Sequence, residues 1–195
     1  NLKDIKGRTA LMYASMYGYN KLIIILIQNK ASINDFDKEK QSAILHAAFY
    51  NGTLDIVKVL VLNGAKLNEK DNFGLTPFLW CIHTGKYNIA EFLIEQGADI
   101  NAKNYCGQTA LVMLSITNHI KVMKMLIDKG INIHSKDRFG YTCIEWASYT
   151  NNVKVILFLS NFNFYKNTVC NSYSIAQENG HLEIVNILKQ KYSYL

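Results

Sequence analysis

The residues of this 195-residue chain best suited to chemistry are five histidines, four cysteines and two tryptophans. Cys81, Cys106, Cys143 and Cys170 show no C-x-x-C or C-x-x-H spacing, so no zinc site is encoded and no metal is expected. An unpaired, scattered set suits a reducing compartment, and a cytoplasmic location is the expectation, or the cytoplasmic face of a membrane if the segment is part of a larger membrane protein. No glycine-rich phosphate loop, nucleophile elbow or H-E-x-x-H run occurs. None of His46, His83, His119, His134 and His181 belongs to a convincing catalytic set. No cofactor and no catalysis are therefore expected of this segment. Trp80 and Trp146 remain, and the like surroundings of the two in the sequence lead to the elements that carry them.

Trp80 lies in "FGLTPFLWC" (Phe73–Cys81), beside Pro77, the single proline of the chain. Thr76 can accept a hydrogen bond from an orphan helical N–H as an N-cap. Pro77 then falls at the first helical position, where its missing N–H costs nothing. "GLTP" thus reads as turn, cap and helix start. The same start returns at one fixed interval, at Thr109 in "CGQTALVML" and again at Thr142 in "FGYTCIEWA". Upstream, Ala43 in "KQSAILHAA" precedes Thr76 by that interval, and Thr9 in "KGRTALMYA" precedes Ala43 by one position more. Trp80 and Trp146 therefore occupy one slot, two intervals apart. Each start leads to a small-residue helix, a Gly or Asn, and an apolar helix such as "LDIVKVLVLNGAKLN" or "YNIAEFLIEQGADIN". Gly18, Gly52, Gly85 and Gly180 mark the turn between helices, where a positive φ is cheap, and Asn118 and Asn151 replace them.

The interval is about 33 residues, the period of the ankyrin repeat. With "ILHAA" (Ile44–Ala48) and "GHLEIV" (Gly180–Val185), the pattern resembles that family. The resemblance covers essentially the whole chain. It implies a single all-α solenoid domain over 1–195 with repeats at about 4–36, 37–70, 71–103, 104–136, 137–166 and 167–195. Each repeat should comprise a finger-like turn, a short first helix, a tight turn and a longer second helix. Repeat two carries an extra residue, placed in "NDFDKEKQ", and the finger before repeat six, with Asn171 as cap, should be about four residues short. His46 fills the histidine position of the T-P-L-H pattern, which implies a structural hydrogen bond. Asn1 occupies the position of Asn34, Asn68 and Asn101, the end of a preceding finger, so a segment of a longer protein is expected.

The same resemblance implies a groove lined by finger tips and the inner face of each first helix. By register it holds Arg8, Tyr17, Tyr50, Phe73, Leu75, Trp80, His83, Tyr105, Met113, Arg138, Phe139, Tyr141, Trp146 and Tyr149. Tyr13 and Met113 fill the tryptophan slot in repeats one and four. A solvated groove has no folding reason to collect aromatics, and exposed aromatic patches mark interaction sites. The alternative for Trp80 and Trp146 is that they lie back between helices and fill core.

The expected function is a non-catalytic module binding a protein or extended peptide. Arg8, Lys6, Lys40 and Arg138 favour acidic residues in that partner. A net charge of +6 with pI about 9.0 does not by itself argue for nucleic acid. "LIIILI" (Leu22–Ile27) is too short to span a bilayer, so no membrane contact is expected. In a second reading the segment recruits substrates for a larger enzyme, because "TPFLWC" and "TALMYA" look similar to the repeat of DHHC-type palmitoyltransferases.

Overall fold

Twelve α-helices and no strand make up the computed structural model, which describes residues 1–195. The helices form six pairs, three in each of two compact units, Asn1–Tyr105 and Cys106–Leu195. The first unit holds α1 (Ala10–Tyr17), α2 (Asn20–Gln28), α3 (Ala43–Phe49), α4 (Leu54–Leu62), α5 (Pro77–His83) and α6 (Tyr87–Glu95). There α1, α3 and α5 pack in series as one layer, and α2, α4 and α6 as the other. The second unit holds α7 (Ala110–Thr117), α8 (Ile120–Asp128), α9 (Cys143–Tyr149), α10 (Val153–Leu159), α11 (Lys166–Glu178) and α12 (Leu182–Lys191), layered in the same way. Each unit is thus an all-α solenoid of three repeats. No helix is long and apolar enough to cross a membrane.

Most of these helices have seven to nine residues, too few to be stable alone in water. They form because each buries one face against its neighbours: Leu11, Ile23, Leu45, Ile56, Phe78 and Leu93 are fully buried in the first unit. Local chemistry sets where they start. The Thr76 hydroxyl accepts the Leu79 N–H at 3.3 Å and Pro77 occupies the first position, as the sequence predicts. Thr9 caps Met12 in the same way, also at 3.3 Å. Asn118 and Asn151 do adopt the left-handed turn conformation (φ 63° and 56°).

Two register details differ from expectation. The cap of α3 is Ser42 rather than Ala43. Asp37 stands five residues before Ser42, as Asp71 does before Thr76 and Asp137 before Thr142, so the second finger has ordinary length. The extra residue sits between α3 and α4 instead, because Gly52 follows Ser42 by one position more than Gly85 follows Thr76. Gly52 has no positive φ there. It is glycine because a Cβ would lie 2.2 Å from the Ala47 carbonyl oxygen. The second difference concerns repeat six. Asn171 is not a cap, since α11 begins five residues earlier and runs through it. A helix extension therefore takes the place of the shortened finger. Asn171 Nδ2 donates to Glu145 Oε1 at 3.2 Å, while Glu145 Oε2 accepts the Thr142 N–H at 2.7 Å, so a buried carboxylate ties α11 to α9.

One finger carries measurable strain. The third residue after the finger aspartate or asparagine is Gly7, Gly74, Gly107 or Gly140, all with φ between 75° and 83°, but Lys40 at φ 57° in the second repeat. A side chain in the left-handed region costs about 1–2 kcal/mol. Lys40→Gly is expected to stabilise the protein by about 1 kcal/mol, net of the entropy glycine adds to the unfolded chain. Urea unfolding would show this, and an unchanged or lower midpoint would refute it.

Candidate functional site

The fingers are built around an aspartate. Asp71 is fully buried, and its Oδ1 accepts the backbone N–H groups of Phe73 and Leu75, each at 2.9 Å. Its Oδ2 accepts Trp80 Nε1 at 2.7 Å and Gln41 Nε2 of the preceding finger at 3.3 Å. The arrangement recurs. Asp137 Oδ1 accepts from Phe139 and Tyr141, and Oδ2 from Trp146 Nε1 at 2.7 Å. Asp4 accepts from Lys6, Arg8 and, at 2.7 Å, the Tyr13 hydroxyl. Asp37 accepts from Glu39 and Gln41, and its Oδ2 faces His46 Nε2 at 3.0 Å and Arg8 Nε at 3.2 Å. In each of these four repeats one side-chain donor, Tyr13, His46, Trp80 or Trp146, stands nine residues after the aspartate. In the fourth repeat both partners change in the sequence: Asn104 replaces the carboxylate, and Met113, which has no N–H or O–H to give, stands nine residues later.

This clamp reassigns two residues. His46 is a structural hydrogen-bonding residue, as the resemblance implies, but it occupies the tryptophan slot. Its tautomer follows from its surroundings. Nε2 carries the hydrogen toward Asp37, and Nδ1 is buried without a partner. Burial holds the His46 pKa below the ordinary histidine value of about 6.5, against the raising field of Asp37, with the Arg8 guanidinium adding to the depression. The unfolded chain therefore takes this proton first as pH falls. The contribution is intact above about 6.5 and is lost progressively as pH drops toward the folded-state pKa. Unfolding free energy should decline between about pH 7 and 5, and His46→Gln should flatten that segment of the profile. An identical slope in both proteins would exclude His46 as the source. The other reassigned residue is Arg8, whose charge is directed into Asp37 and not toward a rim.

The candidate groove residues fall into distinct environments. In the first unit Phe73 is 61% exposed, and Tyr17, His83 and Tyr105 are also exposed. Arg8 and Tyr50 are half-buried, whereas Leu75 and Trp80 are buried, Trp80 being only 6% exposed. Trp80 thus lies back from the surface instead of standing in an open groove. Its indole packs on Phe49 (centroids 4.2 Å apart), Phe73 (6.4 Å, edge-on) and His83 (5.4 Å, edge-on). Phe49 continues to Tyr50 at 4.4 Å. The result is a connected aromatic cluster with Phe73 and His83 outermost. Tyr17 belongs elsewhere, stacked on Tyr13 at 6.3 Å.

In the second unit Trp146 is half-buried between Tyr141 (5.9 Å) and Tyr149 (5.7 Å), both edge-on. Phe139 and Tyr149 are exposed, Met113 and Tyr141 half-buried, and the Arg138 guanidinium lies 5.7 Å above the Phe139 ring. Register alone does not single out Phe49 or the aspartates themselves. The aspartates do carry a legible signal, an Asp nine residues before each aromatic or histidine of the slot.

Several of the remaining candidates for chemistry are buried or have structural roles. Cys81 and Cys143 are buried, which pushes both thiols up to about 12 and keeps them protonated and unreactive. Cys170 sits within α11. His181 Nδ1 donates to the Ser148 carbonyl at 2.9 Å, joining α12 to the end of α9. Asn152 makes the equivalent bond to Ser115, and Lys86 to Ala47 and Tyr50, both at the end of α3. Burial draws the Lys86 pKa down. His134 stacks on Tyr165 at 4.2 Å. No group of three or more His, Cys, Asp or Glu side chains is placed to hold a metal ion.

Comparison with known proteins agrees with this architecture. A segment of 76 residues is 37% identical to alpha-latrocrustotoxin-Lt1a of Latrodectus tredecimguttatus, covering 38% of this chain and 5% of the toxin. Serine/threonine-protein kinase 12 of Arabidopsis thaliana is 33% identical over 66 residues, 34% of this chain and 14% of the kinase. A putative ankyrin repeat protein of fowlpox virus, FPV223, is 30% identical over 83 residues, 43% of this chain and 57% of that protein. The chain therefore matches only part of each relative's length. The family profile for ankyrin repeats in three copies matches residues 1–71, 45–137 and 78–172. With that profile spanning most of the sequence and six helix pairs behind it, the chain belongs to the ankyrin-repeat family.

Proposed function

We propose that the protein is a non-catalytic binding module that takes a segment of a partner protein along its finger tips and first helices. Ankyrin repeats in general mediate protein–protein interaction, and the face named here is the finer part of the reading. Its chief support is Phe73, 61% exposed and edge-on to an indole that Asp71 locks in place. A large apolar ring held on a rigid base loses little entropy when it is covered, which is how aromatic anchors come to dominate binding. Lys6, Lys38 and Lys40 are exposed on the neighbouring fingers of the same unit, so the partner segment carries acidic residues next to an apolar one. In the second unit Phe139 is likewise exposed, and the exposed Tyr149 lies edge-on to the Trp146 indole that Asp137 holds.

The test uses a random peptide display library selected on the immobilised protein, followed by anisotropy titration of the enriched peptide. Phe73→Ala is expected to weaken binding tenfold or more, about 1.4 kcal/mol or above, with an unchanged melting temperature. Leu62→Ala, at an exposed site on α4 outside this face, should leave affinity unaltered. Equal affinity of the wild type and Phe73→Ala would remove the finger face from consideration.

A further inference from the structure

Two departures from the repeat pattern meet between the second and third fingers. The residue before the finger aspartate or asparagine is lysine at Lys3, Lys70, Lys103 and Lys136, but Phe36 in the second repeat. A lysine here can brace the following finger: Lys3 Nζ donates to the Phe36 carbonyl and Lys70 Nζ to the Lys103 carbonyl, each at 2.8 Å. Phe36 has no donor with which to make that bond to the third finger. The second departure is Lys40, at φ 57° where the other fingers carry glycine.

The left-handed backbone at Lys40 aims its side chain at the third finger. At the equivalent glycines an added Cβ would point at the following finger. It would lie 3.2 Å from the Lys38 nitrogen at Gly7, 2.5 Å from the Tyr105 nitrogen at Gly74 and 2.8 Å from the Arg138 nitrogen at Gly107. Lys40 leaves its finger in that direction and lines a cavity of about 510 Å³ with Phe36, Asn68, Glu69 and Lys70. This is the size range of ligand pockets, about 300–1,000 Å³. Phe36 supplies a half-buried aromatic wall. No hydrogen bond or ion pair engages the exposed Lys40 ammonium, whereas Lys66 pairs with Glu69 at 3.2 Å and Lys70 is bonded to the Lys103 carbonyl. Glycine would make a more stable finger here but would bring no charge to the cavity. Backbone strain that holds an uncompensated cation beside an aromatic ring is the kind kept at functional sites.

We propose that this cleft is the subsite for an acidic side chain of the bound partner segment, and that Lys40 is the residue that selects it. The proposal rests on the binding reading above and adds where the negative charge of the partner goes. A glutamate fits: its carboxylate meets the Lys40 ammonium while its methylenes lie on the Phe36 ring. Lys70 adds positive charge at the cavity wall, which favours the same occupant.

The probe is fluorescein-labelled hexaglutamate, titrated by anisotropy at low ionic strength, with the backbone amide shifts of the protein followed in parallel. Lys40→Gln keeps the left-handed strain and removes the charge. It is expected to weaken hexaglutamate binding about twofold to fivefold, the range for one exposed charge pair, and to flatten the dependence on salt. Lys40→Gly should lose the same affinity while raising the urea midpoint, which separates loss of the charge from loss of the fold. Lys40→Arg should bind as the wild type does, and so should Lys21→Gln, at an exposed lysine of α2. The shift changes should concentrate at Lys40 and residues 68–70. No binding by the wild type, equal binding by Lys40→Gln, or an equal loss in Lys21→Gln would overturn the subsite. Phe73→Ala, measured on the library-selected peptide, tests the underlying reading separately. A loss in Phe73→Ala with none in Lys40→Gln refutes the subsite and leaves the aromatic anchor. The reverse pattern supports the subsite and removes the anchor.

Discussion

Trp80→Ala will lower the stability of the protein by about 3–5 kcal/mol, the range for truncating a buried aromatic side chain. The indole is 6% exposed, packs on Phe49, and its N–H is one of the donors that saturate Asp71. Removing it opens a cavity beneath the third finger and removes the bond that ties this finger to its own helix. Asp71→Asn should cost about 2–3 kcal/mol by a different route. The amide keeps one acceptor for the Phe73 and Leu75 N–H groups, but its NH2 meets the N–H of Trp80 and the NH2 of Gln41. Leaving buried donors without an acceptor costs about 1–3 kcal/mol each.

The fourth repeat indicates the compensation, pairing Asn104 with Met113 in sequence where the third pairs Asp71 with Trp80. Trp80→Met should therefore cost less in the D71N background than in the wild type, by about 1–2 kcal/mol of coupling. Urea unfolding of the four proteins in this cycle measures it. Strict additivity, or a wild-type midpoint for Trp80→Ala, would mean that the indole bond does not hold the finger. The outcome also bears on binding. A loss of affinity in Trp80→Ala reports collapse of the platform, whereas Phe73→Ala reports loss of the anchor itself.

Gly74→Ala is expected to cost about 3 kcal/mol or more, because two penalties coincide at this position. Its φ of 76° disfavours any Cβ by about 1–2 kcal/mol. The Cβ would also lie 2.5 Å from the backbone nitrogen of Tyr105 and 2.7 Å from its ring carbons, so the next finger must shift. Gly64 is the internal control, with φ 87° and no atom within 4 Å of the added Cβ. Gly64→Ala should cost only the conformational part, about 1–2 kcal/mol. The difference between the two melting curves isolates the close approach of successive fingers. Equal effects would show that Tyr105 yields without resistance.

The fold was legible because its signals are local. A threonine cap, a proline at the first helical position and an asparagine in the left-handed turn each act within a few residues. Their recurrence at a fixed interval specifies helix pairs without reference to anything distant. Register was less legible where a local signal was missing. Aligning Gly52 with the other turn glycines points to Ala43 as the cap of α3, yet the finger aspartate, five residues before Ser42, decides it. The extension of α11 through Asn171 has no local signal for a similar reason. The buried Glu145 that receives Asn171 belongs to another helix, far back along the chain.

By itself, the sequence determined the class of architecture, the number of helix pairs, most of their starts and the slot that Tyr13, Trp80 and Trp146 share. Only the tertiary structure decided which way those side chains face. Exposure is a property of the neighbour stacked above, not of the residue, so Ala10 and Ala43 share a slot but only Ala43 is buried. Trp80 and Phe73 are both aromatic and seven residues apart. Trp80 is drawn inward by an aspartate that needs its N–H, while Phe73 has no polar group to satisfy and stays at the tip of the finger. Likewise, Arg8 belongs to a basic rim by register alone, but the structure places Asp37 of the next repeat 3.2 Å from its Nε. Capping and turn chemistry act along the chain, whereas burial and pairing act across it, between residues about one repeat apart.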